Sequence, residues 1–236
     1  MICDFHSHVL PGIDDGAADS RQALQMLDAA LSQNIPCMVA TPHFYANHDD
    51  PQRFLRRRDG AEERLRQQMA ENSPALRVGA EVYYFEGISD CEFLPAMAIS
   101  GTKCVLIEMP NGRWNDRMYA ELTGIYRKQG LTPIIAHLDR YLTAFNREEL
   151  VEKLRAVPAL IQVNASFFLH WQTRRTALKM LKNRQIDLIG SDCHDLTDRP
   201  ENLQKAVQII TRALGETALE RVSRKESQVL SGQRVV

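Results

Sequence analysis

Two short strings near opposite ends of the chain share a spacing: Asp4-Phe5-His6-Ser7-His8 and Ser191-Asp192-Cys193-His194. In each, two side chains able to ligate a metal stand two residues apart. On a β-strand that interval puts both on one face. Each string closes an apolar stretch, so each pair is expected at the C-terminal end of a strand, where α/β barrels hold their chemistry. Mixed imidazole and carboxylate donors without thiolate suit Mn²⁺, Fe²⁺ or Zn²⁺. The chemistry such a centre supports is hydrolysis by an activated water.

Other strand ends repeat the pattern. His43 closes Ala40-Thr41-Pro42-His43, Glu81 closes Gly79-Ala80-Glu81, Glu108 closes Leu106-Ile107-Glu108 and His137 closes Ile135-Ala136-His137. The loop Gly12-Ile13-Asp14-Asp15-Gly16 follows the first strand. A lone histidine after a strand is more often a hydrogen-bonded structural residue, and a lone glutamate is more often solvated. Repetition changes the odds, because barrel closure brings these ends together. Five histidines and four carboxylates converging without a cation would be a costly polar cluster. So many donors exceed what one ion takes, so two or three ions are expected.

The elements that position these residues are legible as alternation. Short apolar runs at 2–6, 37–41, 77–82, 104–108, 133–137, 160–164 and 187–191 read as strands. Between them lie helical patterns. One is capped by Asp19-Ser20, carries Leu24, Leu27 and Leu31 on one face and ends near Asn34 and Pro36. A second carries Phe54, Ala61, Leu65 and Met69, and others are expected at 116–128, 147–155, 174–183 and 200–214. Such alternation means parallel strands with crossover helices. Seven units make an α/β, TIM-like barrel one unit short of eight, and the length suits a single domain over 1–236. A net charge of -1 gives no basic footprint of a nucleic-acid binder. No apolar run nears the ~20 residues of a membrane span, and the first residues lack the pattern of an export signal. The cysteine count is odd, and Cys3, Cys37 and Cys104 fall in expected strands. That argues for a reducing cytoplasm rather than a disulfide framework.

Taken in order, DFHSH, the DDG at 14–16, the TPH ending at His43, the GAE ending at Glu81, the AHLDRY at 136–141 and SDCH followed by Arg199-Pro200 resemble a known family. The chain is similar to the polymerase-and-histidinol-phosphatase (PHP) superfamily. Within it, the chain looks like the bacterial manganese-dependent protein-tyrosine phosphatases of capsule and exopolysaccharide operons. The resemblance implies a distorted (β/α)7 barrel with a metal site at the C-terminal strand ends. It implies three divalent ions, most naturally Mn²⁺. One would be held by His6, His8, Glu81 and Asp192, and a second by Glu81, Glu108 and His137. The third would be held by Asp15, rather than Asp14, with His43 and His194. It implies that Arg140 and Arg199 grip the substrate phosphate, for which a planar guanidinium is suited. Asp4 is expected on the face of His6 and His8, supporting them from behind. The implied reaction is attack of a metal-activated hydroxide on phosphotyrosine, with a cytoplasmic tyrosine kinase tail as the partner. Some relatives form ring-shaped homo-oligomers. Two other readings share the residues: a small-molecule phosphatase of the histidinol-phosphate kind, and a non-catalytic accessory domain.

Cys193 and Arg199 stand in the C-x5-R spacing of thiol-based tyrosine phosphatases. The intervening segment holds two acids and no glycine, unlike a loop that offers backbone N–H groups to an anion. Cys193 alternates with Asp192 and His194 and is expected to point away from the metals. His48 and His170 are expected outside the site. Arg56-Arg57-Arg58 is expected as a solvated helix face, with an acidic-peptide patch as the lesser alternative. Tyr83, Tyr84, Phe85 and Trp114 could line the pocket mouth or pack in the core.

Overall fold

The computed structural model describes residues 2–233 and 235–236. Its strands are β1 (Asp4–Ser7), β2 (Cys37–Ala40), β3 (His43–Phe44), β4 (Ala75–Val78), β5 (Glu81–Tyr83), β6 (Cys104–Glu108), β7 (Thr132–Ile135), β8 (Leu160–Asn164) and β9 (Leu188–Gly190). The expected strand 77–82 is broken in two, and a short further strand, β3, follows the expected strand 37–41. Pro42, which has no N–H for a ladder, separates β2 from β3, and Gly79-Ala80 separates β4 from β5. Pairing runs through both breaks, since Gly79 N donates to Ala40 O and Glu81 N to Pro42 O, each at 2.9 Å.

Every strand pair is parallel, in the orders β1-β2-β4 and β3-β5-β6-β7-β8-β9. The sheet curls until its first strand meets its last: Ser7 bridges Cys193, and Asp192 N donates to His6 O at 2.7 Å. The result is an α/β fold with a curled parallel sheet, compatible with a distorted TIM-like barrel.

The helices are α1 (Ser20–Ser32), α2 (Pro51–Arg66), α3 (Asp116–Gln129), α4 (Leu138–Tyr141), α5 (Arg147–Arg155), α6 (Ser166–Leu169), α7 (Trp171–Lys182), α8 (Leu203–Leu214) and α9 (Glu216–Leu230). Side-chain oxygens of Asp19, Asp50, Asn115 and Asn146 cap α1, α2, α3 and α5 by accepting first-turn N–H groups. The buried stripe of α1 is Ala23, Met26, Leu27 and Ala30, not the expected Leu24, Leu27 and Leu31. Leu24 and Leu31 are only half-buried. The expected helix 174–183 begins earlier, at Trp171. Helix α9 was not expected, because its inward face includes Glu226 among Ala218, Val222 and Val229. That buried carboxylate accepts Cys3 N at 3.0 Å. Among the described residues no helix is long and apolar enough to cross a membrane.

Inside the curl, Phe5, Val39, Cys104, Leu106, Ile134, Leu160 and Leu188 form one apolar cluster. Along β6, β8 and β9 the same face then turns polar: Leu106 is followed by Glu108, Leu160 by Gln162 and Asn164, and Leu188 by Gly190 and Asp192. The apolar plug thus supports a polar mouth. At Gly190 the backbone of β9 approaches β1 so closely that a Cβ would lie 2.5 Å from His6 Cβ and 2.8 Å from His6 N. Gly190→Ala is therefore expected to destabilise the fold by about 2–3 kcal/mol through overpacking. Gly60→Ala, inside α2 where a Cβ meets only the tip of Arg64 at 3.4 Å, should stabilise by about 0.5–1 kcal/mol. Urea midpoints of the two variants check the contrast.

Candidate metal centre

All nine expected donors meet at the polar mouth of the sheet. His6 and His8 leave β1 fully buried, and their Nε2 atoms face one another at 3.1 Å. Glu81 Oε2 lies 3.2 Å from His6 Nε2 and 3.4 Å from His8 Nε2, and Asp192 Oδ1 lies 3.5 Å from each. His137 Nε2 is 2.8 Å from Glu81 Oε1 and 3.6 Å from Glu108 Oε1. Asp15 Oδ1 lies 3.5 Å from His43 Nε2 and 3.4 Å from His194 Nε2.

Among the described residues four sets of donor atoms fall within 4.8 Å of one another; three belong to the mouth, His8, Asp15, His43 and His194, His6, His8 and Glu81, and His43, Glu81 and Glu108, and the fourth is Asp4, Cys193 and Glu201. His8, His43 and Glu81 each belong to two sets, as bridging positions would. The grouping differs in detail from the expected one. His8 also faces the Asp15 set, and His43 also faces the Glu81–Glu108 pair, its Nδ1 lying 3.0 Å from Glu81 Oε2.

Outer partners fix which ring nitrogen faces the cluster. His8 Nδ1 pairs with Asp14 Oδ2 at 2.8 Å, His6 Nδ1 reaches Gln162 Oε1 at 3.4 Å, and His194 Nδ1 reaches the Asp192 carbonyl at 3.0 Å. Each Nδ1–H donates outward, leaving an Nε2 lone pair aimed inward. The inward Nε2 atoms of His6 and His8 then face each other across 3.1 Å. Glu81 Oε2, His43 Nδ1, His137 Nδ1 and His194 Nε2 are buried without a hydrogen-bond partner. Orphaned lone pairs and converging carboxylates are what divalent cations satisfy, so the donor set fits such ions.

The electrostatics agree. Burial and the neighbouring Glu81 push Glu108 up to about 7. Burial, His8 and Arg199 push His194 down to about 4. Glu81 is held well below the carboxylate range although burial opposes this, because His6, His137 and His43 surround it.

Backbone strain gathers here. His137 (φ 33°) and Asp192 (φ 57°) are two of the four non-glycine residues with positive φ among the described residues. The conformation costs energy away from glycine, and it ends each strand where the side chain must turn.

Asp14 and Asp15 separate clearly. Asp14 Oδ2 also accepts His43 N at 3.0 Å and its Oδ1 accepts Gly16 N at 3.0 Å, so it braces the loop. Asp15 approaches the cluster from the solvent side, 65% exposed. The expectation that Asp4 shares the face of His6 is corrected. The register shifts between Asp4 and Ser7, so Phe5 joins the inner apolar cluster, while Asp4 turns toward Ser191, Cys193 and Glu201. Its Oδ1 accepts His6 N and Ser191 N at 3.1 and 2.8 Å, tying β1 to the end of β9.

Sequence reasoning missed Gln162 and Asn164. Gln162 Oε1 accepts His137 N at 2.5 Å, Gln162 Nε2 donates to Asn164 Oδ1 at 3.1 Å, and Asn164 Nδ2 donates to Asp192 Oδ2 at 2.9 Å. The signal was present: two amides two residues apart in an otherwise apolar strand.

Both arginines converge on Asp192. Arg140 Nη2 donates to Oδ2, and Arg199 Nη2 to Oδ1 at 2.8 Å. Cys193 is buried and its thiol is raised by burial, Glu201 and Asp4. The loop after it offers little to an anion, because the Asp195 carboxylate already accepts the N–H groups of Thr197, Asp198 and Arg199. Tyr84 and Trp114 are buried, with Tyr84 Oη donating to Glu121 and the indole packed on Tyr119, Tyr141 and Phe145. Tyr83 and Tyr45 instead stand near the mouth, with the Tyr45 ring tilted against His43 at 5.5 Å between centroids. A cavity of about 280 Å³ opens there, lined by Asp15, His43, Tyr45, Asp49 and Arg57. His48 and His170 are exposed and outside the cluster. Arg57 and Arg58 bond to Ile13 O and Ala96 O and so brace neighbouring loops.

Removing bound metal with a chelator should lower Tm, and adding Mn²⁺ back should restore it, because ions that bind only the folded state stabilise it. Gln162→Leu should fold yet need about 10–100-fold more Mn²⁺ for half-restoration, read by thermal denaturation against metal concentration.

The family model described as "Capsular polysaccharide synthesis, CpsB/CapC" matches residues 2–231. The chain is similar to the tyrosine-protein phosphatase YwqE of Bacillus subtilis (strain 168), 28% identical and covering 91% of this chain and 85% of the relative. It is 25% identical to the tyrosine-protein phosphatase CpsB of Streptococcus agalactiae serotype III, covering 91% and 92% of the two chains. Among solved structures, one from the work on YwqE of Bacillus subtilis and CpsB of Streptococcus pneumoniae superposes with a TM-score of 0.84 at 24% identity, over 100% of this chain and 96% of that one. The chain therefore belongs to the CpsB/CapC family of capsular polysaccharide synthesis.

Proposed function

We propose that this chain is a metal-dependent protein-tyrosine phosphatase. The observation that carries the reading is a cluster of nine donors, most of them buried, with two guanidiniums at its edge, beside an open cavity. The relatives named above are called tyrosine-protein phosphatases, and the YwqE and CpsB structures are described as those of metal-dependent ones.

In this reading the curled sheet is a distorted seven-unit barrel, with β2–β3 and β4–β5 each one broken strand. His6, His8, Glu81 and Asp192 would hold one ion, Glu81, Glu108 and His137 a second, and Asp15, His43 and His194 a third, with Mn²⁺ favoured. Bound ions supply a water nucleophile at neutral pH and Lewis acidity toward phosphoryl oxygens.

The chain's own groups do the remaining work. Asp14, Gln162 and the Asp192 carbonyl keep the imidazoles in the tautomer that binds a cation. Arg140 and Arg199 each spend few of their N–H groups on Asp192, which leaves donors for the non-bridging oxygens of a phosphate. Tyr45 and Tyr83 offer ring faces to the tyrosyl group. Phenolate, the conjugate base of an acid with pKa about 10, leaves more readily than an alkoxide, so a strong acid at the leaving oxygen is not required. The substrate class follows as a phosphotyrosine protein, with a cytoplasmic tyrosine kinase tail in a polysaccharide-export system as the partner. The second reading, a small-molecule phosphatase, uses the same donors. Hydrolysis of histidinol phosphate in strong preference to phosphotyrosine peptide would favour it.

His6→Ala, Glu81→Ala and Asp192→Ala are expected to abolish turnover. Arg140→Ala and Arg199→Ala should each lower kcat by about 10²–10³-fold, as loss of a charge-stabilising donor does, while bound metal stays at the wild-type level. Cys193→Ser should keep most activity. Phosphotyrosine-peptide kinetics with parallel metal analysis checks all of these, and trapping of a phosphocysteine would reverse the mechanism.

A further inference from the structure

All five cysteines are free thiols. Cys3 and Cys37 form a pair that the metal centre does not use. β1 and β2 run parallel with Asp4 opposite Met38, so Cys3 and Cys37, one residue earlier on each chain segment, stand side by side. They also share a face. Cys3 packs against the inner apolar cluster, and Val39 belongs to that cluster. Cys37, two residues before Val39, therefore points the same way. The pair lies at the N-terminal ends of the strands, the end away from the nine donors.

The two thiols interact and are made unequal. Contact with the Cys37 side chain, with burial, raises the Cys3 thiol. Contact with Cys3 lowers the Cys37 thiol; burial opposes this and the charge of Arg77 adds to it. One sulfur keeps its proton while the other is favoured as thiolate, the nucleophilic form. Cys3 is partly exposed and Cys37 is 7% exposed. The pair thus sits at the border of core and solvent, within reach of an oxidant as small as hydrogen peroxide. Its backbone is held, since Cys3 N donates to the buried Glu226 carboxylate at 3.0 Å.

The other thiols face different neighbours. Cys104 meets the Thr102 hydroxyl, Cys193 the Ser191 hydroxyl, and Cys91 the backbone N–H groups of Phe93 and Leu94. Among the described residues Cys3 and Cys37 belong to no set of three donors within 4.8 Å. That sets a metal site aside and leaves chemistry between two sulfurs. Neighbouring strands lie about 4.8 Å apart, inside the roughly 4.4–6.8 Å between Cα atoms that a disulfide spans.

We propose that Cys3 and Cys37 are a modification site that closes reversibly to a disulfide when the chain meets hydrogen peroxide. The Cys37 thiolate attacks one peroxide oxygen, the O–O bond breaks, and hydroxide leaves, giving a sulfenic acid at Cys37. Cys3 Sγ then attacks the Cys37 sulfur. The S–S bond forms, the S–O bond breaks, and the departing hydroxide takes the Cys3 proton as water. In sum two thiols are oxidised by two electrons, and one peroxide is reduced to two waters. Joining adjacent strands requires Cβ atoms about 3.8 Å apart, so the bond draws β1 and β2 together and stores strain. Strained disulfides are the labile ones, opened again by thiol reductants, and they form transiently even in reducing compartments. The proposal stands independently of the phosphatase reading.

The test treats the full chain, loaded with Mn²⁺, with hydrogen peroxide, alkylates the remaining thiols and maps the digest by mass spectrometry. Free thiols should fall from five to three. The product should be a peptide pair linked through Cys3 and Cys37, and dithiothreitol should restore all five thiols. In Cys3→Ser the Cys37 sulfenic acid lacks its partner and should be captured by dimedone. The same link should form in the metal-free chain. Five thiols still free after treatment overturn the proposal, as does separate oxidation of Cys3 and Cys37 without a linked peptide. A link between two chains, or one that forms only after unfolding in urea, overturns it too. A link that requires Mn²⁺ assigns the oxidation to the metal centre and also overturns it.

Discussion

Glu81 is the carboxylate around which the site is arranged. It is 1% exposed and stands within 3.4 Å of four imidazoles, those of His6, His8, His43 and His137. A charge taken this far from water survives only with opposite charge and hydrogen bonds close at hand. Without ions the carboxylates hold His8 and His43 toward their protonated forms, so the rings carry the compensating charge until a cation takes it over. The arrangement makes physical sense with cations between the rings and the carboxylates, and the fold has to hold those groups in place while they await them.

That requirement explains features that otherwise look unrelated. The curl of the sheet brings β1 against the end of β9, and Asp4 fastens the junction from the outer side. Gly190 allows the strands to come close enough for His6 and Asp192 to share a neighbourhood, and Gly16 does the same beside His8, where a Cβ would lie 2.1 Å from the His8 carbonyl oxygen. The left-handed turns at His137 and Asp192 aim donors that regular strand geometry would not. Each device costs conformational energy, and the apolar plug of Phe5, Leu106, Leu160 and Leu188 below offsets it.

Much of this was legible in the sequence because the site repeats one rule, a donor at the C-terminal end of a strand. His6, His8 and Glu108 could be placed by alternation alone. The failures have physical causes. Asp4 was assigned to the wrong face because an irregular register is invisible to a period-two pattern. Helix α9 escaped because a buried glutamate interrupts its apolar stripe. Gln162 and Asn164 were passed over because amides are not ligands, although the inner layer depends on them for orientation. The separate duties of Asp14 and Asp15 depend on how one loop turns, and loop conformation is weakly encoded in local spacing.

Cys193 and Arg199 show why residue types at a given interval do not by themselves define a chemistry. The same seven-residue span could be read as a thiol nucleophile with its anion-binding loop, or as the edge of a metal cluster. What decides is the state of the backbone N–H groups and the thiol. Asp195 consumes three of those N–H groups, and Cys193 is buried beside Glu201 and Asp4, where a thiolate would be disfavoured. Arg199 meanwhile faces a carboxylate of the cluster rather than an empty anion pocket. The surroundings remove one mechanism and prepare the other, and they do so through ordinary hydrogen bonds made by residues that take no part in the reaction.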